Sequence, residues 1–146
     1  MTADLLRMDV YLAKSRTQPA FVNDAAAATQ AIDPRVLASL DETWEEGEAD
    51  LVVELIDLYL REAPQWVEAM RTAAASQNAT LLRRAAHTLK GSSGSLGIRQ
   101  VAEVCRMLEL NCSESAAKAD ELLQQLDREF ATARAALAAE RMRRVT

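Results

Sequence analysis

The chain has 146 residues, enough for one domain with at most a short tail, and its 49% apolar and 27% charged residues supply both a core and a solvated surface. Twenty-eight alanines against four glycines and three prolines favour helix over a turn-rich sandwich or barrel. Seventeen basic against 22 acidic residues leave a net charge of -5, the wrong sign for a free-standing nucleic-acid binder, while two cysteines and one histidine exclude a zinc site with several Cys and His ligands and argue against a disulfide framework.

Residues 1–31 are the least regular part and read as an N-terminal extension or linker. Asp9-Val10-Tyr11-Leu12-Ala13-Lys14 fits a short strand or a frayed helical turn. Ser15 to Asn23, with Pro19, reads as linker, and Ala25 to Ala28 has helix propensity without an apolar stripe. A helix start follows: Asp33 as N-cap, Pro34 at the first helical position, and Ile32 and Leu37 placed as a hydrophobic staple. The stripe Val36, Leu37, Leu40, Trp44 runs until Gly47. A second helix opens with Glu48 and Asp50, whose charges suit a helix N-terminus, and carries Leu51, Val52, Leu55, Ile56 and Tyr59 at helical spacing. Pro64 ends or kinks it and starts a third, with Trp66, Val67, Met70 and Ala74 inward.

Asn78 is the expected cap of a fourth helix, to about Gly94. A fifth runs from about Ile98 to Leu110 with the stripe Val101, Val104, Cys105, Leu108. Ser113 or Ser115 caps the last helix, to about Arg141, whose seam is Ala119, Leu122, Leu123, Leu126, Phe130, Ala133 and Leu137. Short connections imply antiparallel neighbours. The expected fold is therefore all-α: an antiparallel up-down-up-down four-helix bundle of the later helices, with one or two additional N-terminal helices packed against one end. The domain spans 32–142, with 143–146 as a tail. No apolar run approaches a membrane span and no leader pattern is visible, so a reduced, cytoplasmic protein is the expectation.

The fourth helix carries the informative residues. Successive residues turn by about 100° on a helical wheel, which gathers Leu81, Leu82, Ala85, Leu89 and Leu96 on one side and places His87 about 180° from their mean. The chain's one histidine thus stands on the most exposed line of a core helix. Arg83 and Arg84 lie one turn before it, Lys90 and Gly91 one turn after, and Gly94 one turn further. A glycine inside a helix costs about 1 kcal/mol relative to Ala. Two on the histidine's own face suggest close approach by another macromolecule. An exposed neutral imidazole is a nucleophile near neutral pH, and flanking cations favour the uncharged ring and stabilise an anionic group transferred onto it. A phosphoryl group fits. The same residues also fit a plainer reading: a surface histidine that is only polar, a glycine pair belonging to a helix C-cap, and basic side chains on an ordinary solvated face.

His87-Thr88-Leu89-Lys90-Gly91-Ser92-Ser93-Gly94-Ser95-Leu96-Gly97 resembles the signature of histidine-containing phosphotransfer (HPt) domains: His, any residue, Leu, Lys, Gly, two small residues, then an apolar residue and Gly. Asp57 to Pro64 and Val101 to Glu109 resemble the family's flanking segments, and the similarity covers about residues 33–140. The resemblance implies a phosphocarrier without kinase activity of its own. Such a protein takes a phosphoryl group from a receiver-domain aspartate and passes it to another receiver in a two-component phosphorelay. His87 matches the phosphorylated histidine, Lys90 the supporting cation and Gly91 the small residue that gives access. Arg83, Arg84 and Gly94 complete the expected docking face. The implied partners are receiver domains of a hybrid sensor kinase and of a response regulator. The protein itself would be a monomer with no cofactor or metal, Mg2+ coming with the receiver. Met8 to Lys14 faintly resembles the last strand of a receiver domain.

Two other functions remain as alternatives at this stage: an HPt-like phosphoacceptor domain excised from a hybrid or chemotaxis-type sensor kinase, and an interaction module with an unused histidine. Cys105 and Cys112, seven residues apart, fit either a redox switch or small buried residues. The acidic run Asp41 to Asp50 fits a solvated face or a partner contact. Trp44, Trp66 and Phe130 are expected core anchors.

Overall fold

The computed structural model describes residues 30–45 and 49–145. Among them are five helices and no strand: α1 Pro34–Asp41, α2 Leu51–Ala75, α3 Ala79–Ser95, α4 Arg99–Leu110 and α5 Ala116–Val145. Helices α2 to α5 form an antiparallel four-helix bundle in which each packs on the next and α5 closes against α2. Helix α1 packs on α2. No helix among the described residues is long and apolar enough to cross a membrane. The expected features of residues 1–29 and of Glu48 lie outside the described residues.

Local signals account for most boundaries. The Asp33 carboxylate accepts from the Arg35 backbone N–H at 2.9 Å with Pro34 at the first helical position, and Asp50 accepts from the N–H groups of Val52 and Val53. Asn78 accepts from Leu81 N–H, and Ser115, rather than Ser113, from Lys118 N–H. The α5 seam is buried at every predicted position, from Ala119 to Leu137. So is the α4 stripe Val101, Val104, Cys105, Leu108. Each fully buried Leu or Ile of such a seam contributes about 1.5–3 kcal/mol.

Two expectations are corrected. The second and third predicted helices are one 25-residue helix that passes through Pro64. An interior proline costs about 3 kcal/mol. Here Tyr59, Ala63, Val67 and Met70 form one buried stripe on both sides of it, and bundle packing outweighs the missing hydrogen bond. Among the described residues one further helix, α1, packs against the bundle, within the expectation of one or two. Trp44 is not a core anchor: α1 ends at Asp41, and Trp44 lies beyond it, 38% exposed. Phe130 is buried against Tyr59, and Trp66 is half-buried against the core.

The last helix also runs past Arg141 to Val145, through residues set apart above as a tail. The cause is Arg144. Its guanidinium bonds both oxygens of Asp41 at 2.9 Å, reaches Asp50 at 3.3 Å and Glu140 at 2.7 Å, and is only 11% exposed. This one side chain ties α5 to the end of α1 and the start of α2.

Two helix ends use the same motif with different residues. After α3, Ile98 N–H bonds Ser93 C=O at 2.9 Å and Gly97 N–H bonds Gly94 C=O at 3.1 Å, with Gly97 at φ +74°. After α2, Asn78 N–H bonds Ala73 C=O at 2.8 Å and Gln77 N–H bonds Ala74 C=O at 3.1 Å, with Gln77 at φ +55°. Both are Schellman turns, which place one residue in the left-handed region. A side chain there costs about 1–2 kcal/mol. Gly97 avoids that cost; a Cβ on it would also lie 3.0 Å from the Val36 Cβ. Gln77 bears it. Urea unfolding is therefore expected to move in opposite directions: Gln77→Gly stabilises by about 1 kcal/mol and Gly97→Ala destabilises by at least as much.

Candidate functional site

The site is built on α3, and its orientation follows from what that helix buries. Leu82, Ala85, Ala86, Leu89, Ser92 and Ser93 face the bundle. Burial on that side leaves Arg83, Arg84 and His87 outward, and the His87 side chain is 68% exposed. The two serines are buried without strain on their hydroxyls: Ser93 Oγ shares a 2.8 Å hydrogen bond with Tyr59 on α2, and Ser92 Oγ donates to Thr88 C=O. Helix α3 is thus fixed against α2 directly behind the exposed histidine.

Helix α4 supplies the partner that helical spacing on α3 does not reveal. Glu109 Oε2 lies 2.8 Å from His87 Nδ1, and Glu109 Oε1 lies 2.6 Å from Lys90 Nζ. The Glu109 side chain is 22% and the Lys90 side chain 33% exposed, so both bonds are sheltered from full hydration. Partial burial opposes the charge on Glu109. The hydrogen bonds from Lys90 and His87, together with their charges, outweigh it and hold the carboxyl below the usual carboxylate range. A carboxylate only accepts hydrogen bonds, so His87 Nδ1 carries the proton toward Glu109. The lone pair of the neutral ring is then on Nε2, the other nitrogen.

The structure brings His87 and Lys90 together, as expected from their spacing, but through Glu109 rather than directly. Beside the cations expected around the imidazole, an acidic residue from α4 meets the ring. The charge in contact with the ring is an anion, and Lys90 is paired with it. Arg83 and Arg84 are exposed and form no ion pair with another described side chain. A Cβ placed on Gly94 would meet nothing within 4 Å. Gly91 is half-buried on the same helix, one turn from His87.

Glu109 was within a segment singled out by resemblance, yet it was given no role. The pairing was legible in principle. His87 and Glu109 are 22 residues apart, and the turn at Leu96–Ile98 lies at the midpoint of that interval, so two antiparallel helices joined there bring them level. The cysteines are not part of the site. Both thiols are free, Cys105 is buried, and burial, reinforced by the nearby Glu109 charge, pushes its thiol up to about 12. Such a thiol is a poor nucleophile, which disfavours the redox reading.

The Hpt domain family model matches residues 54–142. The chain is similar to the crystal structure of histidine-containing phosphotransfer protein B (HptB) from Pseudomonas aeruginosa PAO1. The match has 32% sequence identity and a TM-score of 0.70, and covers 79% of this chain and 97% of that one. No curated protein sequence matches the chain.

Gly94 gives a test of whether this face is shaped for something outside the domain. Nothing inside the structure fills the space beside it, so Gly94→Ala is expected to stabilise the isolated protein by up to about 1 kcal/mol in urea unfolding. A destabilised variant would mean that the glycine serves the fold.

Proposed function

The chain belongs to the Hpt domain family, the histidine phosphotransfer proteins of phosphorelays, and from that premise we propose that His87 is the residue that takes up and hands on the phosphoryl group. The observation that carries this reading is a single imidazole, 68% exposed, standing on a helix that is fixed by its buried side and anchored at Nδ1 from a second helix. The ring combines access with a defined direction, which transfer between two macromolecules requires.

The neighbouring residues support the same reading. Lys90 sits one turn from His87 with its ammonium on the same carboxylate, close enough to attend an anionic group arriving on the ring. Arg83 and Arg84 form no ion pair with another described side chain and offer positive charge to the acidic pocket of a receiver domain, although the protein carries a net charge of -5. Gly91 and Gly94 keep that side of α3 low enough for a second protein to approach. In this reading the partners are two receiver domains, donor and acceptor of the phosphoryl group. Mg2+ enters with the receiver, and the HPt protein is a carrier rather than a kinase.

Incubation with a phosphorylated receiver and Mg2+ should place acid-labile, base-stable phosphate on the protein. ATP and Mg2+ alone should leave it unlabelled, and His87→Gln should abolish the label while circular dichroism stays unchanged. Label that persists in His87→Gln would reject the assignment. Gly91→Glu introduces bulk and negative charge beside the ring and is expected to slow transfer by at least about tenfold with helicity near normal, since like charges across an interface cost on the order of kcal/mol.

A further inference from the structure

We propose that Arg83 is the phosphoryl-binding residue of the site: once the group is on His87, the Arg83 guanidinium holds its oxygens, while the charge of Lys90 stays matched by Glu109. This rests on His87 being the phosphoryl acceptor and deepens that reading, because it names, among three neighbouring cations, the one that takes the transferred charge.

Charge counting separates Lys90 from the arginines. Glu109 Oε1 lies 2.6 Å from Lys90 Nζ and Oε2 lies 2.8 Å from His87 Nδ1, so before transfer the carboxylate and the ammonium offset each other beside a neutral ring. In the transfer step the outer ring nitrogen gives its electron pair to phosphorus. The P–O bond to the receiver aspartate breaks, and that pair leaves on the aspartate oxygen. The ring gains one positive charge, and the phosphoryl group brings up to about two negative ones. One negative charge is left over, and Lys90 is already engaged. Arg106 on α4 is engaged too, by Glu103 at 2.9 and 2.6 Å. Arg83 and Arg84 are exposed and form no ion pair with another described side chain.

Helix geometry then chooses between the two arginines. On the wheel Lys90 lies about 60° to one side of His87 and Arg83 about 40° to the same side, whereas Arg84 lies about 60° to the other. The Lys90 side is the α4 side, because Glu109 of α4 bonds both Lys90 and the ring. The ring is therefore drawn toward the line of Arg83 and away from that of Arg84. A helical side chain also leans toward the helix N-terminus and covers the turn before its own Cα. The turn before His87 is the one that carries Arg83, and at this i, i+4 spacing the two Cβ atoms are about 5–6 Å apart. A guanidinium on a long exposed stem spans that gap and presents two parallel N–H groups to two phosphoryl oxygens.

Phosphoramidate, a small anionic phosphoryl donor, tests this without a receiver, so that loss of docking does not enter. In uniformly 15N-labelled protein, the arginine Nε–H resonance that disappears in Arg83→Ala should shift downfield when wild-type His87 is phosphorylated, and the one that disappears in Arg84→Ala should move less. The rate of labelling by phosphoramidate should fall by about tenfold in Arg83→Ala and by no more than about twofold in Arg84→Ala. Arg83→Lys should recover part of the loss, with circular dichroism unchanged in all three variants. An unmoved Arg83 resonance, an Arg83→Ala rate equal to wild type, or equal losses in the two alanine variants would each overturn the proposal. Label from phosphoramidate with none from a phosphorylated receiver would instead overturn the relay reading and leave the Arg83 assignment standing. Absence of label from both donors would overturn both.

Discussion

The arrangement of the site depends on the turn between α3 and α4. Its two Schellman bonds, Ile98 N–H to Ser93 and Gly97 N–H to Gly94, reverse the chain within three residues and bury Ile98 in the core. Because the reversal is tight, the register of α4 along α3 has little freedom, and the glutamate at the far end of α4 stands level with the histidine in the middle of α3. The turn is itself held from outside the bundle. Asp33 N–H donates to Gly97 C=O at 2.8 Å, and the Asp33 carboxylate, capping α1, faces Arg35 and Arg99. Helix α1 therefore covers the closed end of the α3–α4 pair. Its other end is tied by Arg144 to Asp41 and Asp50.

This explains how an exposed side chain can be well directed. A histidine that is two-thirds in solvent has few packing contacts of its own to define it. Its direction comes from neighbours that are more buried: Ala86 and Leu89 beneath it, Glu109 beside it, and Tyr59–Ser93 behind the helix. Rigidity at the surface is borrowed from the layer below, as a preorganised site requires.

What could be read from the sequence follows a physical division. Periodicity reports which side of a helix is buried, and so it located the α4 stripe, the whole α5 seam and the outward direction of His87. Capping chemistry is equally local, and Asp33, Asp50 and Asn78 act as expected. The errors arise where a distant contact overrides a local preference. Pro64 is a helix breaker by propensity, but a buried stripe continues across it. Arg144 reads locally only as a basic residue suited to a helix C-terminus, and the carboxylates from α1 and the start of α2 that converge on it are distant in sequence. Trp44 fits the stripe of a longer helix than the one that forms. Glu109 belongs to the same group. On its own helix it is an acidic residue beside the core stripe, and its meaning comes from a helix it meets only after folding.

The charge pattern joins the fold to the function. Across the described surface most arginines are satisfied internally: Arg71 by Asp127, Arg106 by Glu103, Arg141 by Asp57, Arg144 by three carboxylates. Lys90 is drawn into the same economy by Glu109. Arg83 and Arg84 are the cations beside the histidine left without such partners. In a protein of net charge -5, these two exposed arginines put positive charge beside the His87 ring. Under the proposed phosphotransfer reading, that charge would favour the approach of an acidic receiver pocket to the side of α3 that carries His87. In the same reading orientation would begin at a distance, and the open space beside Gly94 would leave room for the final approach.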